Sequence, residues 1–256
     1  MTRLGKLRWV ALALALVLCT AEARAQQPED CPVPGYLLFG DSSLDRVNNA
    51  VTKNKSLKTV VIGTASATLP GRDGANIAFP ARLEAALNKR LVGVATTVVT
   101  HAKPRQTAAQ MAQSLGRLLL EEKPNLVVWQ TGTFDALQGL DPEQFRASVA
   151  DGVATLQAGG ADVIIMNMQY SPRTESIIAL GGYADNMRWV AREREVPLFD
   201  RLAIMRHWYD TGAIDLYAAT KDVSVAKRVH DCIGRALAAM VVDAARLGAF
   251  EGKGSQ

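Results

Sequence analysis

The sequence of 256 residues lacks the short motifs that hold metal ions or phosphate groups. It has no His-x-x-x-His pair and no Cys-x-x-Cys pair, the spacings that commonly supply two zinc ligands from one segment. It also has no glycine-rich loop of the kind that wraps a phosphate. We therefore expect a protein that works without a metal ion.

Long hydrophobic runs are also missing, apart from one near the start. Three positive charges precede an apolar run over residues 9–18, which is too short for a membrane-spanning helix of about twenty residues. This order is typical of a secretory signal peptide, and the small residues Ala23 and Ala25 predict cleavage before Gln26. We expect a periplasmic or secreted protein, with no stable membrane insertion of the mature chain.

An excess of positive charge is missing once the signal peptide is removed. The first 25 residues carry four Arg or Lys and one Glu, so three of the four net positive charges lie there and the mature chain keeps +1. No cluster of Lys and Arg remains that could line a nucleic-acid surface. We therefore expect no nucleic-acid partner.

Cysteine is scarce, with three in the whole chain. Cleavage removes Cys19, and a lipid anchor there is disfavoured because the bulky Leu18 precedes it. Cys31 and Cys232 remain in a compartment that permits disulfides. The prediction is a bridge between them, and the alternative is two unpaired buried thiols.

Short runs rich in Val and Ile alternate with stretches whose apolar residues recur every three or four positions. The runs predict strands over residues 58–62, 95–100, 125–130, 162–168 and 196–199. The other stretches predict helices over residues 78–89, 107–121, 142–158, 175–194 and about 231–247. This alternation predicts one α/β domain over residues 26–256, with helices on both faces of a parallel sheet. Residues 26–55 are predicted to form an N-terminal extension with a helix, and residues 248–256 are predicted to be a frayed tail.

Ligands of such sheets bind beyond the carboxyl ends of the strands. There the sequence has Gly63 and Ser66 after the first strand, Gly-Thr-Phe-Asp at 132–135 after the third, and His230 before the last helix. This plan resembles the SGNH (GDSL-like) hydrolase family, in a divergent, rhizobial-type exported branch. The resemblance implies a three-layer, flavodoxin-like fold with a five-stranded sheet. It also implies esterase, lipase, deacetylase or acyltransferase activity that uses no cofactor.

Two serines compete for the role of nucleophile. Gly40-Asp41-Ser42 has the letters usual in the family, but it precedes the first predicted strand and is typical of a helix N-cap. Ser66 directly follows that strand, and Phe79-Pro80 comes next, as a Tyr-Pro segment does in relatives. Ser66 is therefore the predicted nucleophile. The alternatives are Ser42, or a Ser66 that only caps a turn.

A serine hydroxyl needs a neighbouring base to take its proton, and His230 is the predicted base. His207 is predicted to pack inside a helix, and His101 ends the second strand. In the family the acid stands three residues before the histidine, where this chain has Lys227. The acid is then Asp222, or a Ser-His pair works without one. An ammonium group at Lys227 is expected to lower the pKa of His230.

The resemblance implies an oxyanion hole built from a glycine after the second strand and an asparagine after the third. Residues 102–106 and Phe134 replace both. Candidate substitutes are the backbone N–H groups of Ala65 and Ser66 and the side chains of Gln106, Gln169 and Arg173. Gly132 and Asp135 complete the predicted substrate-binding set. A hydrogen bond within the loop fits Asp135 equally well, and a surface ion pair fits Arg173 equally well.

Two functions are compatible with these residues. The first is an exported serine hydrolase acting on a small-molecule or polysaccharide ester, as an esterase, deacetylase or acyltransferase. The second is a non-catalytic periplasmic carbohydrate-binding or assembly protein that keeps the fold. Phe134 and Lys227 favour the second, because each replaces a group that the reaction normally needs.

Overall fold

A computed structural model describes residues 31–217 and 223–248 of the chain. The predicted signal peptide with its cleavage site, the candidate acid Asp222, and the predicted tail beyond residue 248 lie outside the described residues. In the part that is described, no helix is long and apolar enough to cross a membrane.

The centre of the fold is a parallel sheet. Its strands are β1 (Ser56–Gly63), β2 (Ala95–Ala102), β3 (Leu126–Gln130), β4 (Asp162–Met166) and β5 (Leu198–Phe199). In the described chain the sheet has five strands in the order β2-β1-β3-β4-β5, and all neighbouring pairs are parallel. The predicted flavodoxin-like α/β fold is confirmed.

Helices cover both faces of this sheet. They are α1 (Asp45–Asn54), α2 (Gly74–Ile77), α3 (Phe79–Arg90), α4 (Ala108–Glu122), α5 (Thr133–Leu137), α6 (Pro142–Ala158), α7 (Pro172–Glu175), α8 (Gly181–Glu193), α9 (Arg201–Asp210) and α10 (Val223–Ala244). On one face α3 packs against α10, with α1 alongside on β1 and β4, and on the other α6 packs between α4 and α8. This division follows from right-handed crossovers, because the chain moves first towards β2 and then back towards β5.

The strands are buried according to their place in the sheet. All residues of β3 and most of β1 and β4 are buried, as expected for parallel strands covered on both faces. The edge strand β2 is half exposed. Two helices begin where the sequence predicts, because Thr107 forms a capping box with Gln110 and Asp141 accepts hydrogen bonds from two N–H groups of α6.

The helix predicted over residues 175–194 begins six residues late, as α8. The short helix α7 precedes it and ends at Glu175, and Ser171 caps α7 by accepting a hydrogen bond from the Thr174 N–H. The N–H groups of Ile177 and Ile178 then both return to the Thr174 carbonyl, which ends the turn. Helix α8 then begins at Gly181-Gly182, where a residue type of low helix propensity occupies two positions.

The last helix begins eight residues earlier than predicted, at Val223. The apolar stripe extends back through Val225, which packs against the core, and Val229, which is buried. His230 therefore lies inside α10 and not before it. This shift decides which groups can reach its ring.

Ser42 does not cap α1, in contrast to the prediction. Leu44 occupies the N-cap position without a side-chain hydrogen bond, and the Asp162 carboxylate accepts from the N–H groups of Arg46 and Val47, each over 2.9 Å. A carboxylate from another segment thus satisfies the first turn and complements the helix dipole. Because Asp162 is the first residue of β4, this end of α1 and the nearby Ser42 lie towards the amino edge of the sheet.

The N-terminal segment is fastened to the last helices. Cys31 and Cys232 form a disulfide with a Cα–Cα distance of 5.9 Å, so the predicted bridge is confirmed. Beside it, Trp208 Nε1 donates a hydrogen bond to the Pro32 carbonyl over 3.0 Å. The bridge therefore joins the start of the domain to α10, two residues beyond His230.

Replacing both cysteines with serine should lower the free energy of unfolding by about 2–4 kcal/mol. The bridge closes a loop of sequence separation 201, so its loss gives the unfolded chain more freedom. Urea unfolding of the wild type and of Cys31→Ser/Cys232→Ser measures the difference. Dithiothreitol should lower the stability of the wild type alone, and two reactive thiols in the untreated denatured wild type would contradict the bridge.

Candidate active site

Ser66 lies in a tight turn at the carboxyl end of β1. The turn is a single 3₁₀ turn, Ala65–Ala67, in which the Ala67 N–H donates to the Thr64 carbonyl over 2.9 Å. The first amides of such a turn have no partner within it. The turn therefore holds the Ser66 hydroxyl and the N–H groups of Ala65 and Ser66 at the edge where ligands of this fold bind.

The Ser66 hydroxyl is held by two buried side chains. Gln130 Nε2 donates to Ser66 Oγ over 2.5 Å, and Arg201 Nη2 donates to the same atom over 3.2 Å. Gln130 ends β3 and Arg201 follows β5, so the ends of three strands meet here. Neither an amide nor a guanidinium group can take the hydroxyl proton, and another residue must supply a base.

Gly63 permits this close approach. A Cβ atom at Gly63 would lie 2.6 Å from Gln130 Oε1 and 2.9 Å from Ala67 Cβ, which is too near for either neighbour. The glycine at the end of β1 therefore lets the Gln130 side chain reach the turn that carries Ser66.

Arg201 is the most buried charged group of the site. It is 1% exposed, and its Nη2 donates to Gln169 Oε1 over 3.3 Å in addition to Ser66. Burial lowers the pKa of Arg201 to about 9, so the guanidinium is still protonated at pH 7. Its Nε has no hydrogen-bond partner among residues 31–217 and 223–248.

His230 is buried in α10 against the start of α3. Its Nδ1 accepts a hydrogen bond from the Phe79 N–H over 2.8 Å, and the two rings stack with centroids 6.1 Å apart. Phe79 is the first residue of α3, so the imidazole satisfies an amide that the helix leaves unpaired. An imidazole that accepts at Nδ1 carries its proton on Nε2 when it is neutral.

His230 is neutral at physiological pH. Burial first, and the charge of Arg201 second, lower the pKa of His230 to about 4. The direction agrees with the prediction, but the predicted cause is wrong, because Lys227 is exposed on α10 and does not contribute.

Ser66 and His230 both interact with Arg201. Arg201 donates to Ser66 Oγ, and its charge acts on the His230 ring. In the described part of the chain no hydrogen bond joins the serine to the histidine. The structure therefore provides a hydroxyl, an imidazole and a guanidinium around one edge of the sheet, with the imidazole in the tautomer that donates from Nε2.

Two predicted residues have structural partners. Gly132 has φ +98° at the start of α5, and a Cβ atom there would lie 2.6 Å from Met168 Sδ, so only glycine fits. The buried Asp135 carboxylate accepts from the Ala108 N–H over 2.9 Å, at the start of α4. Burial raises the pKa of Asp135. Asp135 is thus engaged in holding a helix, which is the alternative that the sequence left open.

The other predicted residues divide between the site and the surface. Gln169 contacts Arg201 and belongs to the site, whereas Arg173 is exposed in α7. Gln106 lines a separate cleft of about 290 Å³ beside β2, which also includes His101. His101 Nε2 forms a hydrogen bond with Glu122 Oε1 over 2.9 Å at the surface.

Gln130 and Arg201 are not among the site residues that the sequence predicted. Gln130 is the last residue of β3, and Arg201 is the second residue after β5. Both therefore stand where the carboxyl-end rule directs attention. Considering the last residue of each strand, and the residues after the fifth strand, would have identified both.

The parallel sheet order and the serine turn at the carboxyl end of β1 are those expected of an SGNH/GDSL hydrolase. Within this class, residues 30–247 match the model of the Non-GDSL lipase-like family. The chain belongs to that family, and the resemblance inferred from its sequence is confirmed.

Known relatives are esterases. A 90-residue stretch is 37% identical to the esterase TesA of Pseudomonas aeruginosa and covers 34% of this chain and 45% of that enzyme. The match thus spans about half the length of that curated relative. A crystal structure of TesA has a TM-score of 0.55 at 22% identity, covering 71% of this chain and 99% of that one. A catalytic mutant of Axe2, an acetylxylan esterase from Geobacillus stearothermophilus, has a TM-score of 0.60 at 17% identity, covering 72% and 94%. These structural likenesses establish the fold.

Proposed function

We propose that this protein hydrolyses ester bonds, with Ser66 as the nucleophile and His230 as the general base and acid. The observation that carries the proposal is the position of Ser66, which presents its hydroxyl in a turn at the carboxyl end of β1 in an esterase-like fold. We assign His230 as the imidazole of this site because the charge of Arg201, which donates to Ser66 Oγ, also acts on the His230 ring.

The reaction proceeds in two displacements. Ser66 Oγ forms a bond to the ester carbonyl carbon while its proton passes to His230, and the carbonyl electron pair becomes an oxyanion. The ester C–O bond then breaks, and the alcohol leaves with the proton from His230. Water repeats the sequence on the acyl-serine and releases the acid. An acyl acceptor in place of water would give acyl transfer by the same two residues.

The oxyanion is stabilised by groups that replace the usual donors. Phe134 offers no side-chain donor, but the N–H groups of Ala65 and Ser66 begin a turn and have no partner within it. Gln169 stands at the same edge, in contact with Arg201. We assign the oxyanion hole to these backbone amides, with the Gln169 amide as a further donor.

Turnover by this site is slow. The Phe79 N–H holds His230 in the tautomer with its proton on Nε2, so His230 must release that hydrogen bond and move its proton before it can act as a base. The low pKa of about 4 also makes it a weak base at pH 7. An orienting carboxylate on Nδ1 would normally prevent both effects, and its loss costs about 10⁴-fold in rate in enzymes with a complete triad.

The tautomer of His230 also favours a second candidate function, binding of an ester or carbohydrate without turnover. In that case Ser66, Arg201 and the Nε2–H of His230 act only as hydrogen-bond donors to a ligand. For either function we propose an exported protein. The proposed ligand is a small-molecule or polysaccharide ester, and an acetylated polysaccharide makes the enzyme a deacetylase.

Replacing Ser66 with alanine should remove hydrolysis of p-nitrophenyl acetate, lowering kcat/KM by about a hundredfold or more because no nucleophile remains. Ser42→Ala is the matched control, since Ser42 lies towards the other edge of the sheet, and it should keep wild-type activity. A fluorophosphonate probe, followed by peptide mapping, should label Ser66 in the wild type and in Ser42→Ala.

Three outcomes would contradict the hydrolase. A label on Ser42 would place the nucleophile in the N-terminal segment, and activity unchanged in Ser66→Ala would remove Ser66 from the reaction. No label and no hydrolysis by the folded wild type would leave the binding function as the correct one. Circular dichroism of each variant shows whether it is folded before its activity is compared.

A further inference from the structure

Arg201 carries a buried positive charge for which the described chain supplies no counterion. Its two hydrogen-bond partners, Ser66 Oγ and Gln169 Oε1, are neutral, and its Nε has none. In residues 31–217 and 223–248, no carboxylate forms an ion pair with it. A buried guanidinium in this condition is costly, because neither water nor an opposite charge replaces its hydration.

The position of Arg201 in α9 increases that cost. It is the first residue of the helix, where the unpaired N–H groups and the helix dipole favour a negative charge. The neighbouring Asp200 carboxylate cannot compensate, because it accepts from Asn167, Ala203 and Arg188. A negatively charged group from outside the described chain would neutralise the charge of Arg201 and would also interact favourably with the N-terminus of α9.

The groups around Arg201 are also hydrogen-bond donors. The Ser66 hydroxyl can donate a proton, and His230, with Nδ1 occupied by the Phe79 N–H, carries its donor on Nε2. His230 is neutral, so the cluster has a single positive charge. One negative charge spread over two acceptor oxygens matches this cluster, and a dianion would leave an excess charge buried.

We propose that Arg201, with the Gln169 amide beside it, binds a carboxylate next to Ser66 and His230, and that the ester on which the protein acts carries one, as an acidic sugar does. As a statement about the substrate this rests on the proposed function. The carboxylate site itself does not, because binding requires no turnover. Arg201, in the interior, is then the recognition residue in place of the exposed Arg173 that the sequence suggests.

The test measures thermal unfolding of the folded domain in sodium acetate and in sodium chloride of equal ionic strength. Acetate should raise the Tm of the wild type by about 2–4 °C, with saturation, because it binds only the native state. Arg201→Met should lose this shift and should not be less stable than the wild type in chloride, since it removes an uncompensated buried charge. The matched control Arg173→Met should keep the shift. Arg201→Gln replaces the methionine variant if that variant does not fold.

Several results would overturn the carboxylate site. An acetate shift retained in Arg201→Met and Arg201→Gln would place the binding elsewhere. An equal shift with sodium sulfate would show that carboxylate is not preferred. Asp222→Asn provides the remaining control, because Asp222 lies outside the described residues. If Asp222→Asn is strongly destabilised in chloride while Asp222→Asn/Arg201→Met recovers stability, Asp222 is the counterion and no ligand is required. Loss of hydrolysis in Ser66→Ala tests the proposed function separately.

Discussion

Acidification from pH 7 to pH 4 should reduce the free energy of unfolding by up to about 3 kcal/mol through His230 alone. The pKa of His230 is about 4 in the folded protein, because burial and the charge of Arg201 disfavour its protonation, and about 6.5 in an unfolded chain. Between these values the unfolded state binds the extra proton. Stability is therefore complete above pH 6.5 and is lost as the pH falls towards 4.

Urea unfolding at half-unit pH intervals measures this slope, and His230→Asn is the matched variant. Asparagine keeps a short acceptor for the Phe79 N–H but does not titrate in this range. Carboxylates titrate in both proteins, so the difference between the two curves isolates the histidine. If the free energies of unfolding of the two proteins fall in parallel between pH 7 and pH 4.5, His230 binds a proton equally well in the folded and unfolded states. That result would contradict the lowered pKa expected from its buried position against Phe79.

Replacing Asp200 with alanine should cost about 2–4 kcal/mol. Its carboxylate accepts from Asn167 Nδ2 over 2.7 Å, from the Ala203 N–H over 3.0 Å and from Arg188 Nε over 2.8 Å. The first partner is at the end of β4, the second in the first turn of α9 and the third in α8. Alanine would leave three donors without an acceptor at the point where these elements meet.

Asp185→Ala is the control for this network. Asp185 also binds Arg188, over 2.6 Å, but its side chain is 75% exposed, so its removal should cost about 0.5 kcal/mol or less. If the two variants lose the same free energy of unfolding, the stabilisation comes from the ion pair to Arg188 and not from the hydrogen bonds that connect β4 to α9. Because Arg201 directly follows Asp200, the Asp200 variant should also weaken the response to acetate.

The secondary structure was predictable where local pattern determines it. The four long strands and the helices α3, α4 and α6 have nearly the predicted bounds, because hydrophobic period and capping residues act over a few positions. The helix predicted over 175–194 begins only at Gly181, because the turn after α7 and the Gly181-Gly182 pair break a pattern that is helical on average. The start of α10 was placed too late because its first turns are only partly buried.

The site was predictable as a place and only in part as a set of residues. Ser66, Ala65 and Gln169 follow strand ends, where the fold directs ligands, and the structure places them at that edge. Asp135 follows a strand as well, but its carboxylate turns to the Ala108 N–H. Sequence position alone does not distinguish a side chain that faces a ligand from one that caps the next helix.

By itself, the sequence predicted a parallel α/β fold, because that prediction depends on residue type and on periods of two to four positions. Its residues at the predicted strand ends resembled the SGNH class, and it left two alternatives for Cys31 and Cys232, of which the structure shows the bridge. Only the tertiary structure decided that Phe79 holds the His230 tautomer and that Arg201 reaches Ser66, across 151 and 135 residues of chain. Such contacts depend on the register of the sheet and on how α3, α9 and α10 dock against it. That docking is determined by packing of the whole core, which no short segment encodes.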